Sequence, residues 1–111
     1  MKVEVFYFSG CPNHQPTVDR VRRVLEDEQI PAQVVEVEVG DETTARAVRF
    51  LGSPTVRING VDVEPGVQEV NGGLCCRTYV ENGKRSGMPS ENLIRRALIV
   101  FDGPGDKESR V

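Results

Sequence analysis

Apolar positions along this chain switch between two periods, and the switches mark its elements. Val3-Glu4-Val5-Phe6-Tyr7-Phe8 is β-branched and aromatic and is stopped by Ser9-Gly10, which predicts a buried first strand. After Cys11-Pro12-Asn13-His14, the residues Val18, Val21, Val24 and Leu25 recur at helical spacing. Asp19, Arg20, Arg22, Arg23, Glu26 and Asp27 fill the positions between them. That pattern predicts a helix with one side to bury, stopped by Pro31. From Gln33 to Val39 the period becomes two, with Val35, Val37 and Val39 set against Glu36 and Glu38, the mark of a second strand. Asp41 is placed as N-cap of a short helix that carries Ala45, Val48 and Leu51 and is closed by Gly52. Thr55-Val56-Arg57-Ile58, Asn59-Gly60 and Val61-Asp62-Val63 together predict a hairpin with a two-residue type I′ turn.

Beyond Pro65 the pattern weakens. Residues 67–74, with Gly72-Gly73, read as an irregular connection, and Arg77-Thr78-Tyr79-Val80 as a short strand before the turn Asn82-Gly83. Pro89-Ser90 opens a last helix with Ser90 as its cap and Leu93, Ile94, Ala97 and Leu98 inward. Gly103-Pro104-Gly105 followed mostly by charges predicts a disordered tail over 102–111, leaving one domain over 1–101. Strands joined through helices run parallel, whereas the Asn-Gly hairpin adds an antiparallel pair. The expected fold is α/β, a central mixed four-stranded sheet with helices on both faces.

Composition narrows the function classes. A chain of 111 residues with 38% apolar and 28% charged residues has room for one ordinary globular domain. No apolar run approaches the roughly 20 residues of a membrane span. Met1 to Gly10 carries Glu4 and no small-residue cleavage site, so it does not read as a secretory signal. A net charge of −3 and a pI near 5.2 argue against nucleic acid or an anionic membrane as partner. A soluble, cytoplasmic protein is expected. Asn71-Gly72-Gly73 lacks the strand–turn–helix context of a phosphate loop, one histidine supports no Ser-His-Asp arrangement, and no cofactor is expected.

The chemistry rests on three cysteines, Cys11, Cys75 and Cys76. An odd number fits no disulfide-stapled scaffold, and adjacent Cys75 and Cys76 would close a strained ring. Cys11 closes a strand-to-helix turn, at or just before the N-terminus of the first helix, where backbone N–H groups stabilise a thiolate. Pro12 fits a first helical position, whereas Pro16 implies a distorted first turn or a later helix start. Ser53-Pro54-Thr55, immediately before a strand, is a place where cis peptide bonds occur.

Cys11-Pro12-Asn13-His14 after the first strand, with Ser53-Pro54-Thr55 before the hairpin, resembles the thioredoxin superfamily over about residues 2–100. The resemblance implies a thioredoxin-like fold, an attacking thiolate at Cys11, and a cis-proline loop at Ser53, Pro54 and Thr55 that lies against it and pairs with bound peptide or thiol. Phe50 to Gly60 also resembles small bacterial thioredoxin-like proteins that often carry an organomercurial-lyase label, an activity for which no catalytic set is matched here. His14 stands where the family has its second cysteine, which leaves a monothiol motif. His14, one turn along, either supports the thiolate and relays a proton or is an exposed helix-start residue. Cys76 or Cys75 is the candidate resolving thiol, with Arg77 helping to keep it ionised. The expected function is thus thiol–disulfide exchange with a protein or small-molecule partner. The alternative is a thiolate-based binding module in which Cys11, His14, Cys75 and Cys76 hold a soft metal or organomercurial without turnover.

Overall fold

Six strands and three helices occupy the described residues, 1–65 and 74–102, of a computed structural model. In chain order they are β1 (Lys2–Tyr7), α1 (His14–Asp27), β2 (Gln33–Glu38), α2 (Glu42–Ala47), β3 (Thr55–Ile58), β4 (Val61–Asp62), β5 (Tyr79–Glu81), β6 (Lys84–Ser86) and α3 (Glu91–Asp102). The predicted irregular connection lies largely in 66–73 and the predicted tail in 103–111, both outside the described residues. α3 runs to Asp102, one residue past the expected domain end.

The mixed four-stranded sheet has the order β2-β1-β3-β4. β1 runs parallel to β2, to which α1 connects it, and antiparallel to β3, while β3 and β4 form the expected hairpin. Asn59 and Gly60 both take positive φ, +50° and +86°, as a type I′ turn requires. Strand alternation divides the core. Val3, Val5, Val56 and Ile58 pack with Val18, Val21, Val24 and Leu25 of α1 and Leu93, Ile94 and Leu98 of α3. Phe6 on the opposite face joins Val39, Ala45 of α2 and Phe50. Helices therefore cover both faces. Among the described residues no helix is long and apolar enough to cross a membrane.

Several boundaries differ from the sequence reading, each for a local reason. α1 ends before Pro31, because Gln29 adopts φ +54° and the Ile30 N–H donates to the Leu25 C=O at 3.0 Å. α2 ends in the same way: Arg49 takes φ +56° and the Phe50 N–H donates to the Ala45 C=O at 2.8 Å. Both are left-handed caps formed by residues other than glycine, and Gly52 does not close α2. Phe50, not Val48 or Leu51, is the fully buried residue at that corner. Arg77 and Thr78 precede rather than begin β5, which pairs with a further strand, β6, across Asn82-Gly83 in a separate two-stranded sheet.

Two caps match the sequence. Asp41 accepts the Thr44 N–H at 2.7 Å, and this hydrogen bond holds its carboxyl below the usual range. Ser90 Oγ accepts the Leu93 N–H at 3.0 Å and donates to Glu81 at 2.6 Å, which ties α3 to the β5–β6 hairpin. Ser90→Ala removes both bonds and is expected to lower stability by about 1–2 kcal/mol. Urea denaturation checks this; an unchanged midpoint would mean that water replaces the cap without loss.

Candidate functional site

The turn after β1 positions Cys11. Gly10 reverses the chain at φ +88°, and the Cys11 N–H donates to the Phe8 C=O at 3.2 Å. The His14 N–H in turn donates to the Cys11 C=O at 3.3 Å. Regular helix begins only at His14, so Cys11 and Pro12 both precede it and Pro12 is not a first helical residue. The late start accommodates Pro16, which falls third in the helix, where an N–H has no ladder partner. The Cys11 side of the turn is half-buried.

His14 is partly exposed and held from two directions. Its Nε2 lies 2.7 Å from Glu36 Oε1, and its ring stacks on Tyr7 with centroids 3.5 Å apart and planes 4° from parallel. The register explains the meeting. Glu36 is level with Val5, so Glu36, Val5 and Tyr7 share the face of the sheet that α1 covers. The polar member of a strand alternation was thus the available signal for the histidine's partner.

The Ser53-Pro54 bond is cis. Ser53 connects two separate segments. Its Oγ accepts the Phe8 N–H at 3.4 Å, on the turn that carries Cys11. Its own N–H donates to the Cys75 C=O at 2.8 Å, and its C=O accepts the Arg77 N–H at 3.0 Å. These last two bonds form a one-residue parallel bridge between Ser53 and Cys76. Thr55 Oγ1 donates to the Gly52 C=O at 2.6 Å and closes the loop behind. The structure thereby brings Ser53, Pro54 and Thr55 together with the Cys75–Arg77 strap on one side and the Cys11 turn on the other. All three cysteines are thiols; Cys75 and Cys76 are exposed.

Arg77 is buried, and its guanidinium grips Asp62 with two bonds of 2.6 and 2.8 Å and Glu64 with one of 3.1 Å. It also lies 4.1 Å from the centre of the Tyr79 ring. Burial alone would favour loss of its proton, but the Asp62 and Glu64 carboxylates outweigh it and hold Arg77 firmly charged. Burial also pushes the Tyr79 phenol up, against the opposing Arg77 charge, so it stays protonated and donates to the Pro54 C=O at 2.7 Å. Sequence reasoning missed Asp62, Glu64 and Tyr79. The one available signal was the spacing of Asp62 and Glu64, two apart at the end of the predicted hairpin.

Beside the turn that leads to Cys11 lies an open cavity of about 300 Å³, lined by Phe8, Ser9, Glu38, Val39, Gly40 and Leu74. Among the described residues, no three His, Cys, Asp or Glu side chains are gathered closely enough to hold a metal ion. The set Cys11, His14, Cys75 and Cys76 is therefore not assembled as a ligand cluster, and the His14 Nε2 is already engaged by Glu36. No family model matches the chain, and no curated protein or solved structure is similar to it at a significant level.

Proposed function

We propose that the chain is a thioredoxin-like thiol redox protein in which Cys11 is the nucleophile and a thiol of the Cys75–Cys76 pair resolves the mixed disulfide. One observation carries the reading. Ser53 is hydrogen-bonded both to the turn that holds Cys11 and to the strap that holds the pair. A relocated second thiol thus replaces the cysteine that His14 displaces from the motif. Cys76 is favoured over Cys75 because it stands opposite Ser53 in the bridge and so shares its face, whereas Arg77, one residue on, projects to the other side. His14, fixed by Glu36 and Tyr7, holds the turn through its N–H to the Cys11 carbonyl. Three thiols suit a reducing compartment such as the cytoplasm.

The test is equilibration in graded glutathione buffers followed by disulfide mapping. A Cys11–Cys76 bridge with a single midpoint is expected, and Cys11→Ser is expected to abolish both the bridge and thiol-dependent turnover. Glutathione adducts scattered over all three cysteines, with no internal bridge, would defeat the proposal.

A further inference from the structure

We infer that this site accepts low-molecular-weight disulfides that are uncharged or cationic, and excludes an extended polypeptide strand. The inference rests on the redox reading above and adds its substrate class. A backbone N–H and C=O presented together at the margin of a sheet are a template for an incoming strand. Ser53 carries such a pair just before β3, but the chain's own Cys75 C=O and Arg77 N–H fill it at 2.8 and 3.0 Å. The strap is held there by more than these two bonds. Arg77 is bound to Asp62 and Glu64, the other Glu64 oxygen accepts the Val80 N–H at 3.1 Å, and Tyr79 donates to the Pro54 C=O. A polypeptide seeking the Ser53 edge must displace both backbone bonds and work against a buried ion cluster.

What the strap leaves open is the cavity of about 300 Å³ between Ser9 and Leu74. That volume lies at the small end of small-molecule pockets. Its apolar lining residues are Phe8, Val39 and Leu74, and among the described residues Glu38 alone adds a charge to the lining. Glu42 adds a second carboxylate, which accepts the Leu74 N–H at 3.3 Å. Among the described residues no basic side chain lines it, so an anionic substrate meets like charge and a cationic one meets opposite charge.

The chemistry balances without a further reactant. The Cys11 thiolate attacks one sulfur of R–S–S–R, the S–S bond breaks, and Cys11–S–S–R forms as RS⁻ leaves and takes a proton from solvent. The Cys76 thiolate then attacks the Cys11 sulfur, the second RS⁻ leaves and is protonated, and a Cys11–Cys76 disulfide remains. The protein dithiol gives two electrons and two protons, and the substrate becomes two molecules of RSH.

The reduced protein is mixed in turn with cystamine, bis(2-hydroxyethyl) disulfide, oxidised glutathione and an uncharged unstructured peptide bearing one disulfide. Each rate at Cys11, read by mass spectrometry, is divided by the rate of the same probe with N-acetylcysteine. The first two probes are expected to exceed the peptide by about tenfold, the worth of two displaced backbone hydrogen bonds. Oxidised glutathione is expected to fall below both. A peptide or glutathione ratio equal to that of cystamine overturns the inference and leaves the redox reading standing. A Cys11 that reacts with none of the four probes overturns the redox reading itself, and the inference with it. Asp62→Asn, which weakens the hold on Arg77, is expected to raise the peptide rate relative to the small-disulfide rate by about threefold or more; an unchanged ratio in the folded variant counts against the strap.

Discussion

Arg77→Ala is expected to lower the unfolding free energy by about 3–5 kcal/mol, the cost of breaking a buried ion pair by removing one partner. The side chains concerned are almost fully enclosed, with Arg77 at 3% and Asp62 at 5% exposure and Glu64 at 17%. Truncation leaves Asp62 and Glu64 facing one another without a countercharge and removes the cation that covers the Tyr79 ring. The measurement is the urea midpoint at constant m-value, which separates a stability change from a change in the denatured state. A loss below about 1 kcal/mol would show that the cluster is solvated like a surface pair. Combining Arg77→Met with Asp62→Leu and Glu64→Gln tests the cause, since removing all three charges together is expected to recover much of the loss.

The cluster also shows where sequence reading stops. Elements set by side-chain periodicity were legible: the α1 face from Val18 to Leu25, the alternation of β2, and the Asn59-Gly60 hairpin all follow from residues that state their own conformation. So were the places of Cys11 before a helix and of the cis Ser53-Pro54 bond before a strand, because both are local patterns. Helix ends at Gln29 and Arg49 were not legible, since neither residue announces a left-handed conformation as glycine does. Partner choice was the deeper loss. Arg77 sits among 17 acidic residues of the chain, and nothing in the one-dimensional pattern selects Asp62 and Glu64 from them. The strap was invisible for a related reason: backbone bonds from an irregular segment to Ser53 carry no side-chain signature. Its docking does have one local mark in the sequence, and that mark is a glycine.

Gly52→Ala is expected to cost about 3 kcal/mol and to release the strap. Gly52 takes φ +113°, a conformation side chains rarely adopt, and a β-carbon there would meet the Arg77 Cα and N at 2.9 Å and its Cβ at 3.0 Å. The first effect is strain of about 1–3 kcal/mol; the second forces apart the two chains whose bonds join Ser53 to Cys75 and Arg77. Gly10→Ala separates the two effects, because Gly10 also has positive φ, +88°, but a β-carbon there meets nothing within 4 Å. The smaller loss expected at Gly10, about 1–2 kcal/mol, is backbone strain alone, and the excess at Gly52 measures the close approach. Equal losses, with the proposed Cys11–Cys76 bridge forming in Gly52→Ala as in the parent chain, would mean that the strap's seat does not depend on this contact. Combining Gly52→Ala with Arg77→Ala sharpens the point. Both variants free the same segment, so their losses are expected to fall short of additivity by about 1 kcal/mol or more. Independent losses would mean instead that Arg77 stabilises only the β3–β4 hairpin and that the cysteine pair is held by the Ser53 bonds alone.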